Sequence, residues 1–433
     1  MNQLIAKIES KKAVIGVIGL GYVGLPLASN FCRKGYNVIG FDIDKKKVTK
    51  VNKKKNYIKS VNLKKYKKKI LATSKFTRIK NCDVIIITVP TPLKQKNIPD
   101  LSFVKNSIKK ILPFLRKNQL ISLESTSYPG TTEEELTKKI KSMTVGKDIF
   151  ICYSPEREDP GNKYFKTIDV PKIISGETSN CLKIAKKFYK VFFKSVVPVS
   201  STKTAEFTKL LENIYRSVNI GLVNEMKIIS KIMKINIHEA IKAASTKPFG
   251  YRPFDPGPGM GGHCIPIDPF YMSWKANQLG YDSRFIRQSG NINTIMPKWI
   301  VSNIEKFFKS KKKKINKSKI LIIGIAYKKN VDDDRESPAY EIMKILNKKG
   351  SKISYYDPLI KKINKKRNFK NFHNLKSITL KNNKIKNFDA SIIVTDHDII
   401  NFNKIYKNSK IIFDCRNRYK IKLNKKDNKV IQL

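Results

Sequence analysis

Paired cysteines are missing from this 433-residue chain. Its six cysteines, Cys32, Cys82, Cys152, Cys181, Cys264 and Cys415, follow no paired spacing. That excludes a cysteine zinc site and a disulfide framework, and it suits a reducing, cytoplasmic compartment. No metal is expected. Acidic residues are few: 34 Asp and Glu stand against 89 Lys and Arg, a formal net charge of +55. Arginine is scarce as well, and no aromatic residues interleave with the basic ones. The excess is lysine, spread along the chain in runs such as Lys45–Lys47, Lys53–Lys55, Lys67–Lys69 and Lys311–Lys314. Arginine is the better reader of bases and phosphates. A solvated lysine surface set by overall composition therefore fits better than a specific nucleic-acid partner, although it attracts polyanions non-specifically and is screened by salt. Long apolar runs are also lacking. Ala13–Phe31 comes nearest, but glycines and Pro26 interrupt it and no small-residue cleavage site follows cleanly. No other run approaches membrane-spanning length. A cytoplasmic protein with no membrane partner is expected.

What the chain does have begins with Pro256–Pro269, PGPGMGGHCIPIDP. Gly257, Gly259, Gly261 and Gly262 precede Cys264, prolines bracket the stretch, and Asp268 follows. Glycine permits close backbone approach and positive φ, and proline stops a helix. The stretch reads as a rigid open loop that presents a thiol; the plainer alternative is a tight turn that happens to contain a cysteine. The chain's length suggests two or three domains, and 40% apolar content is enough for their cores.

Ala13–Ile18 is an apolar, β-branched run that reads as a buried parallel strand. Gly19-Leu20-Gly21-Tyr22-Val23-Gly24 follows at once, then a helical pattern to about Lys34, then a strand over Asn37–Phe41 that ends in Asp42. This is G-x-G-x-x-G in its strand–turn–helix context, with an acid suited to the adenosine ribose. Asp42 favours NAD over NADP, and Lys47 lies within reach of the same ribose. Further strands are expected at Val84–Val89, Leu120–Glu124, Ile149–Cys152 and Val196–Val199, alternating with helices as in a parallel α/β sheet. Three of their ends carry polar or proline-bearing turns: Val89-Pro90-Thr91-Pro92, Glu124-Ser125-Thr126 and Tyr153-Ser154-Pro155-Glu156-Arg157. Each could be an ordinary turn, but ligands bind at this edge of such sheets.

From Thr204 a long helical pattern carries an apolar stripe of Leu210, Leu211, Ile214, Val218 and Leu222. Lys209 and Asn213 are four apart and share a face; a solvated lysine beside an asparagine is the bland alternative. This helical block, to about residue 300, links two domains and supplies a dimer interface. After the charge-rich linker Lys309–Lys317, α/β alternation resumes. Strands are expected at Lys319–Ile325, Lys352–Tyr356, Ala390–Val394 and Lys410–Phe413, with a helix over Ala339–Lys348. This part lacks G-x-G-x-x-G. Lys328 and Arg335 are cations near its first strand's end, suited to phosphate or simply part of a surface charge cluster. The expected class is α/β: two Rossmann-like parallel-sheet domains (1–200, carrying the NAD motif, and 306–433) joined by a central helical domain (201–305).

In order, GLGYVGLPLA, FDID, TVPTPL, PDLS, ESTSYPGTTEE, YSPER, KLLENIYR, GGHCIPIDP, AYKKNVDDDRESP and DCRN resemble the UDP-glucose/GDP-mannose dehydrogenase family over nearly the whole chain. The loop TKPFGYRPFDPGPGMGGHCIPIDPFYMSW most resembles the branch that oxidises UDP-N-acetylglucosamine. Arg287 and Asn291 depart from that branch where it carries acids, and Asp255 where it carries an aromatic. The resemblance implies a four-electron oxidation of a primary alcohol to a carboxylate with two NAD⁺. Cys264 would hold the intermediates as thiohemiacetal and thioester. By the same resemblance Lys209 and Asn213 stabilise negative charge on the substrate oxygen. Asp268 and Thr126 hold the hydrolytic water, and Glu156 shares the proton work with Asp268, although Pro160 stands where some relatives carry a second acid. NAD would be held by Gly19, Gly21, Tyr22, Val23 and Gly24, with Asp42, Lys47, Thr91, Thr126 and Arg335. The UDP-sugar would meet Glu156, Lys209, Asn213, Arg252, Gly261 and Lys328. A homodimer or higher homo-oligomer serving surface-polysaccharide precursor synthesis is implied. UDP-glucose or GDP-mannose as substrate is the near alternative. A two-electron dehydrogenase of the 6-phosphogluconate or hydroxyacid type is a further one, since it shares the first domain but needs no Cys264. A nucleic-acid binder on an inactive Rossmann scaffold is the distant one.

Overall fold

The structure is a computed structural model that describes residues 1–58, 61–64, 70–157, 167–262, 265–364, 369–420 and 428–433. Of the residues named above, Cys264, Pro160 and the run Lys67–Lys69 lie outside the described residues. The chain divides into two units: residues 1–212 with 270–282, and residues 213–269 with 283–433.

The first unit is built on β1 (Val14–Ile18), β2 (Asn37–Phe41), β3 (Ile70–Thr73), β4 (Val84–Ile87), β5 (Leu120–Leu123) and β6 (Phe150–Tyr153). They form one sheet in the order β3-β2-β1-β4-β5-β6, with every pairing parallel. This is the doubly wound order of dinucleotide-binding folds. The central strands are uniformly apolar because helices cover both faces of such a sheet. On one face the helices Asn2–Glu9, Gly24–Arg33 and Ser179–Lys190 bury Leu4, Ile8, Phe31 and Phe188. The Phe31 ring lies 5.7 Å from Phe188 and 4.5 Å, edge on, from Phe192.

One expectation needs correction, and one strand was not expected. The strand expected at Val196–Val199 is not part of this sheet. As β8 (Val196–Pro198) it pairs in parallel with β7 (Lys172–Ile174) in a separate two-stranded sheet, and its side chains are largely exposed. The edge strand β3 carried no strong apolar signal, since Leu71 points outward.

In the second unit β9 (Lys319–Ile323), β10 (Lys352–Tyr356), β11 (Ala390–Ile393), β12 (Ile412–Asp414) and β13 (Val430–Gln432) form a parallel sheet ordered β10-β9-β11-β12-β13, the other common doubly wound order. Its first turn repeats the geometry of the first unit. The Gly324 amide donates to the Tyr356 carbonyl at φ +77°, as the Gly19 amide donates to Phe41 at φ +94°. Asp357, after β10, is fully buried and accepts from the amides of Ile325 and Ala326, while His397 Nε2 sits 3.2 Å from its Oδ2. His397 Nδ1 accepts from the Asn330 amide, so the ring donates to Asp357 through Nε2. The helix Pro338–Lys348 starts on a Ser337 cap.

The helix Thr202–Ile232 enters this unit at Asn213. The expected apolar stripe is split: Leu210 is fully buried, Ile214 and Val218 are half-buried, and Leu211 and Leu222 are exposed, while the buried ladder from Asn213 onward is largely polar, comprising Asn213, Ser217, Asn224 and Lys227. Asn293, on the helix Arg284–Ser310, satisfies part of it: it accepts from Asn224 Nδ2 at 2.8 Å and donates to the Ser217 carbonyl at 3.1 Å.

Lys227 is left out of this pairing. Its Nζ is buried with no hydrogen-bond partner among the described residues. Burial pushes its pKa down to about 8, with Arg416 and Lys231 acting in the same direction and Cys415 and Asp414 opposing. A lysine pKa lowered from 10.5 means that folding penalises the charged form. The penalty is full below about pH 8 and fades as pH rises toward 10.5. Lys227→Met should therefore stabilise the protein by about 1–3 kcal/mol at pH 7, the usual cost of an unsatisfied buried polar group. Thermal unfolding of both proteins at pH 7 and pH 10 should show the gain shrink at the higher pH.

Candidate active site

Parallel strands deliver the predicted residues to one edge of the first sheet. Gly19 follows β1, and a Cβ there would come within 2.7 Å of the Thr88 carbonyl; one on Gly24 would strike the Gly19 carbonyl at 1.9 Å. Both positions are closed to any side chain by backbone contact. Gly21 is the opposite case: an added Cβ meets nothing within 4 Å. It is the open floor of a cradle at the start of the helix Gly24–Arg33, whose N-terminal amides and dipole favour a pyrophosphate. Asp42 follows β2 and is nearly buried. Its Oδ2 accepts from the Leu20 amide at 2.9 Å, and its Oδ1 accepts from the Asp44 amide at 2.9 Å. Lys47 Nζ lies 3.5 Å from Oδ2. Tyr57, which no sequence signal marked, donates to the Leu20 carbonyl at 2.6 Å and pins the same turn. Tyr22 is exposed, Val23 half-buried, and Thr91 buried after β4. These residues fit NAD, whose pyrophosphate needs a glycine floor and whose ribose needs an acceptor.

Glu124 ends β5 and Glu156 follows β6, and both reach the same lysine. Lys172 Nζ is 2.7 Å from Glu124 Oε2 and 3.2 Å from Glu156 Oε2, with the Lys172 side chain 2% exposed. Tyr189 donates to Glu124 Oε1 at 2.5 Å. Burial alone would raise the pKa of Glu156, but Lys172 and Lys209 overcome it and hold the carboxyl below its ordinary range. Lys209, buried on the helix Thr202–Ile232, donates 2.5 Å to the Glu156 main-chain carbonyl. Thr126 is half-buried after Glu124. The segment beyond it is closed by Glu206, which accepts from the amides of Gly130 at 2.6 Å and Thr132 at 2.8 Å. Burial pushes the Glu206 carboxyl up to about 7 despite those bonds.

In the second unit Asn213 Nδ2 donates to Asp268 Oδ2 at 2.5 Å, both side chains buried, although 55 residues separate them. Asp268 is the first residue of the helix Asp268–Gln278, where the positive end of the helix dipole favours a carboxylate. The glycine loop is held against the segment after β9. The Gly262 amide, at φ +90°, donates to the Arg335 carbonyl at 3.0 Å. A Cβ on Gly261 would meet Tyr327 Cβ at 2.8 Å and the Glu336 carbonyl at 2.9 Å. Both described sides of the Cys264 loop are therefore anchored. Arg335 Nε and Nη2 form a two-pronged pair with Asp333, at 2.9 and 2.6 Å to Oδ2. Lys328 is half-buried and Arg252 exposed. Arg416 was quoted within DCRN but given no role. Its guanidinium lies where a Cβ on Gly257 would sit, at 2.8 Å. No group of His, Cys, Asp and Glu suited to a metal ion occurs among the described residues, and no helix among them is long and apolar enough to cross a membrane.

Residues 13–193 match the NAD binding domain of the UDP-glucose/GDP-mannose dehydrogenase family, 203–295 its central domain and 321–421 its UDP binding domain. A UDP-N-acetyl-D-mannosamine dehydrogenase of Methanococcus maripaludis is 35% identical across 97% of this chain and 96% of its own. A UDP-N-acetyl-D-glucosamine 6-dehydrogenase of Salmonella typhi is 34% identical across 80% of this chain and 82% of its own. The solved structure of a UDP-D-ManNAc dehydrogenase from Pyrococcus horikoshii superposes with a TM-score of 0.82 at 30% identity, covering 96% of each chain.

In a dinucleotide-binding fold the acid after the second strand accepts from the ribose hydroxyls and disfavours a 2′-phosphate, and Asp42 stands at that position after β2. Asp42→Ala should cut the preference for NAD⁺ over NADP⁺ in kcat/KM by about tenfold or more, the scale of one charged hydrogen bond. A wild type that prefers NADP⁺ would refute this role.

Proposed function

The chain belongs to the UDP-glucose/GDP-mannose dehydrogenase family, and from that premise we propose that it oxidises carbon 6 of a UDP-N-acetylhexosamine to the carboxylate. It is an NAD-dependent oxidoreductase of nucleotide sugars. The Asn213–Asp268 hydrogen bond supports the proposal most: it ties the helix bearing Lys209 to the acid that leaves the Cys264 loop. Residues 1–200 bind NAD, 201–305 carry the catalytic helix, and 306–433 hold the UDP end through Lys328, with Arg252 and Gly261 beside the sugar. Arg335 and Thr91 complete the cofactor set.

NAD supplies the hydride acceptor, used twice per sugar. The chain's own groups do the rest. Lys209 and Asn213 stabilise negative charge on the oxygen at carbon 6 as each hydride leaves. The Cys264 thiolate adds to the aldehyde carbon, forming a C–S bond and a thiohemiacetal, and loss of the second hydride makes this a thioester. Water held by Asp268 and Thr126 then attacks, the C–S bond breaks, and the thiolate is restored with the acid released. Asp268 takes the proton from that water. Glu156 is the poorer base because its carboxyl is held low. Covalent capture keeps the aldehyde bound between the two oxidations. The product suits the building of an acidic surface polysaccharide.

The helix Thr202–Ile232 exposes Tyr215, Leu222, Met226 and Ile229 on one face while burying a largely polar ladder on another. An inverted helix of this kind needs a cover, and we assign to it a second copy of this chain. Sedimentation at micromolar concentration should show a dimer or larger species; a monomer would contradict the assignment.

The substrate test is kcat/KM across UDP-N-acetylglucosamine, the epimer read from the Cys264 loop, UDP-N-acetylmannosamine, the epimer in the Methanococcus relative's name, UDP-glucose and GDP-mannose. One of the two N-acetyl sugars should lead, and a clear lead for either of the others would overturn the class. With that substrate Cys264→Ala should form no covalent sugar adduct. Cys264→Ser should keep substrate binding and support at most a slow or single round of NADH formation, since a hydroxyl does not ionise near neutral pH. Undiminished turnover of the alanine variant would remove the thiol from the reaction.

A further inference from the structure

We propose that Lys172 is a positioning residue for the oxidation: by binding the Glu156 carboxylate it keeps that group off Lys209, whose ammonium stays available to the reacting oxygen. The inference rests on the roles proposed above for Lys209 and the sugar oxygen.

Glu156 and Lys209 are neighbours of opposite charge, yet Lys209 bonds to the main-chain carbonyl of Glu156 at 2.5 Å and not to its carboxylate. The carboxylate is held elsewhere on both oxygens. Its Oε2 is 3.2 Å from Lys172 Nζ, and its Oε1 accepts from the Arg157 amide at 2.9 Å. Lys172 is itself fixed. Its main chain opens β7, its ammonium lies 5.6 Å from the Tyr189 ring centre and 5.3 Å from that of Phe193, and Glu124 binds it at 2.7 Å. Glu124 is oriented in turn by Tyr189, whose hydroxyl is 2.7 Å from Ser122 Oγ. The charges of Glu124, Glu156, Lys172 and Lys209 cancel.

Removal of Lys172 leaves the Glu124 and Glu156 carboxylates buried, with Lys209 a cation beside Glu156. A buried carboxylate without its partner is expensive, so Glu156 is drawn to Lys209. A Lys209 ammonium neutralised by Glu156 has less field to offer a developing oxyanion. Among the described residues no hydrogen bond or ion pair joins Lys172 to Gly19–Gly24 or Asp42, so the effect belongs to kcat and not to NAD⁺ binding.

The test is a double-mutant cycle on full-length enzyme with whichever UDP-N-acetylhexosamine is turned over best. Lys172→Met should lower kcat by about 10²-fold, the scale of losing one oxyanion donor, with KM for NAD⁺ nearly unchanged. Once Glu156 is Gln there is no carboxylate to restrain, so K172M/E156Q should fall within about threefold of E156Q and above K172M alone. The comparison of K172M/E156Q with E156Q stands even if K172M does not fold, because the double variant strands one carboxylate fewer. A K172M/E156Q enzyme far below E156Q, or K172M at wild-type kcat, overturns the inference while leaving the family reaction intact. A wild type that oxidises no UDP-sugar removes the proposed function and this inference with it.

Discussion

Parallel pairing of β1 between β2 and β4 is the constraint on which the first unit's chemistry depends. Parallel strands point every carboxyl end the same way, so the turn after each opens onto one edge. That edge receives Gly19, Asp42, Thr88, Glu124 and Glu156 from five different strands. The pairing continues one step past the strands, through the Gly19 amide to Phe41 and the Thr88 amide to Ile18. The backbone ladder itself thus sets where the glycine turn sits. The second unit starts from the same device and ends elsewhere. Asp357 holds the position that Asp42 holds, but its carboxylate is spent on four backbone amides, those of Ile325, Ala326, Leu359 and Ile360, and on His397 inside the fold. The same frame therefore serves the NAD binding domain in one unit and the UDP binding domain in the other.

Both units bury charge and polar groups where apolar packing would be more stable. The Glu124–Lys172–Glu156 set balances once Lys209 beside it is counted, and close ion pairs offset its desolvation cost. The Asn224–Asn293 ladder is bonded as well. Lys227 is the exception. Order is what the bonded sets contribute: each carboxylate oxygen has a partner, which fixes how the Glu124 and Glu156 side chains are turned.

Local features were readable from sequence, and long-range ones were not. Gly19, Gly21, Gly24 and Asp42 lie within one strand–turn–helix–strand unit whose geometry their spacing dictates. Asn213 and Asp268 were named singly, but nothing in a single sequence tells that residues 55 apart share a hydrogen bond. Lys172 was invisible for a different reason. In a chain with 89 Lys and Arg, one more lysine before Ile173 carries no signal, and its meaning appears only when two carboxylates converge on it. The apolar stripe on the helix Thr202–Ile232 was legible from its spacing, but spacing alone does not say which of its residues pack inward. Leu210 does, and from Asn213 onward the helix buries mainly polar side chains.

The central claim is that one enzyme carries a sugar alcohol through two oxidations without releasing the aldehyde. Counting NADH formed against UDP-N-acetylhexosamine consumed, with the product's mass read at the end, tests it most directly. The account predicts two NADH for each sugar, a carboxylate product and no free aldehyde. One NADH for each sugar, ending at an aldehyde or a ketone, would contradict it.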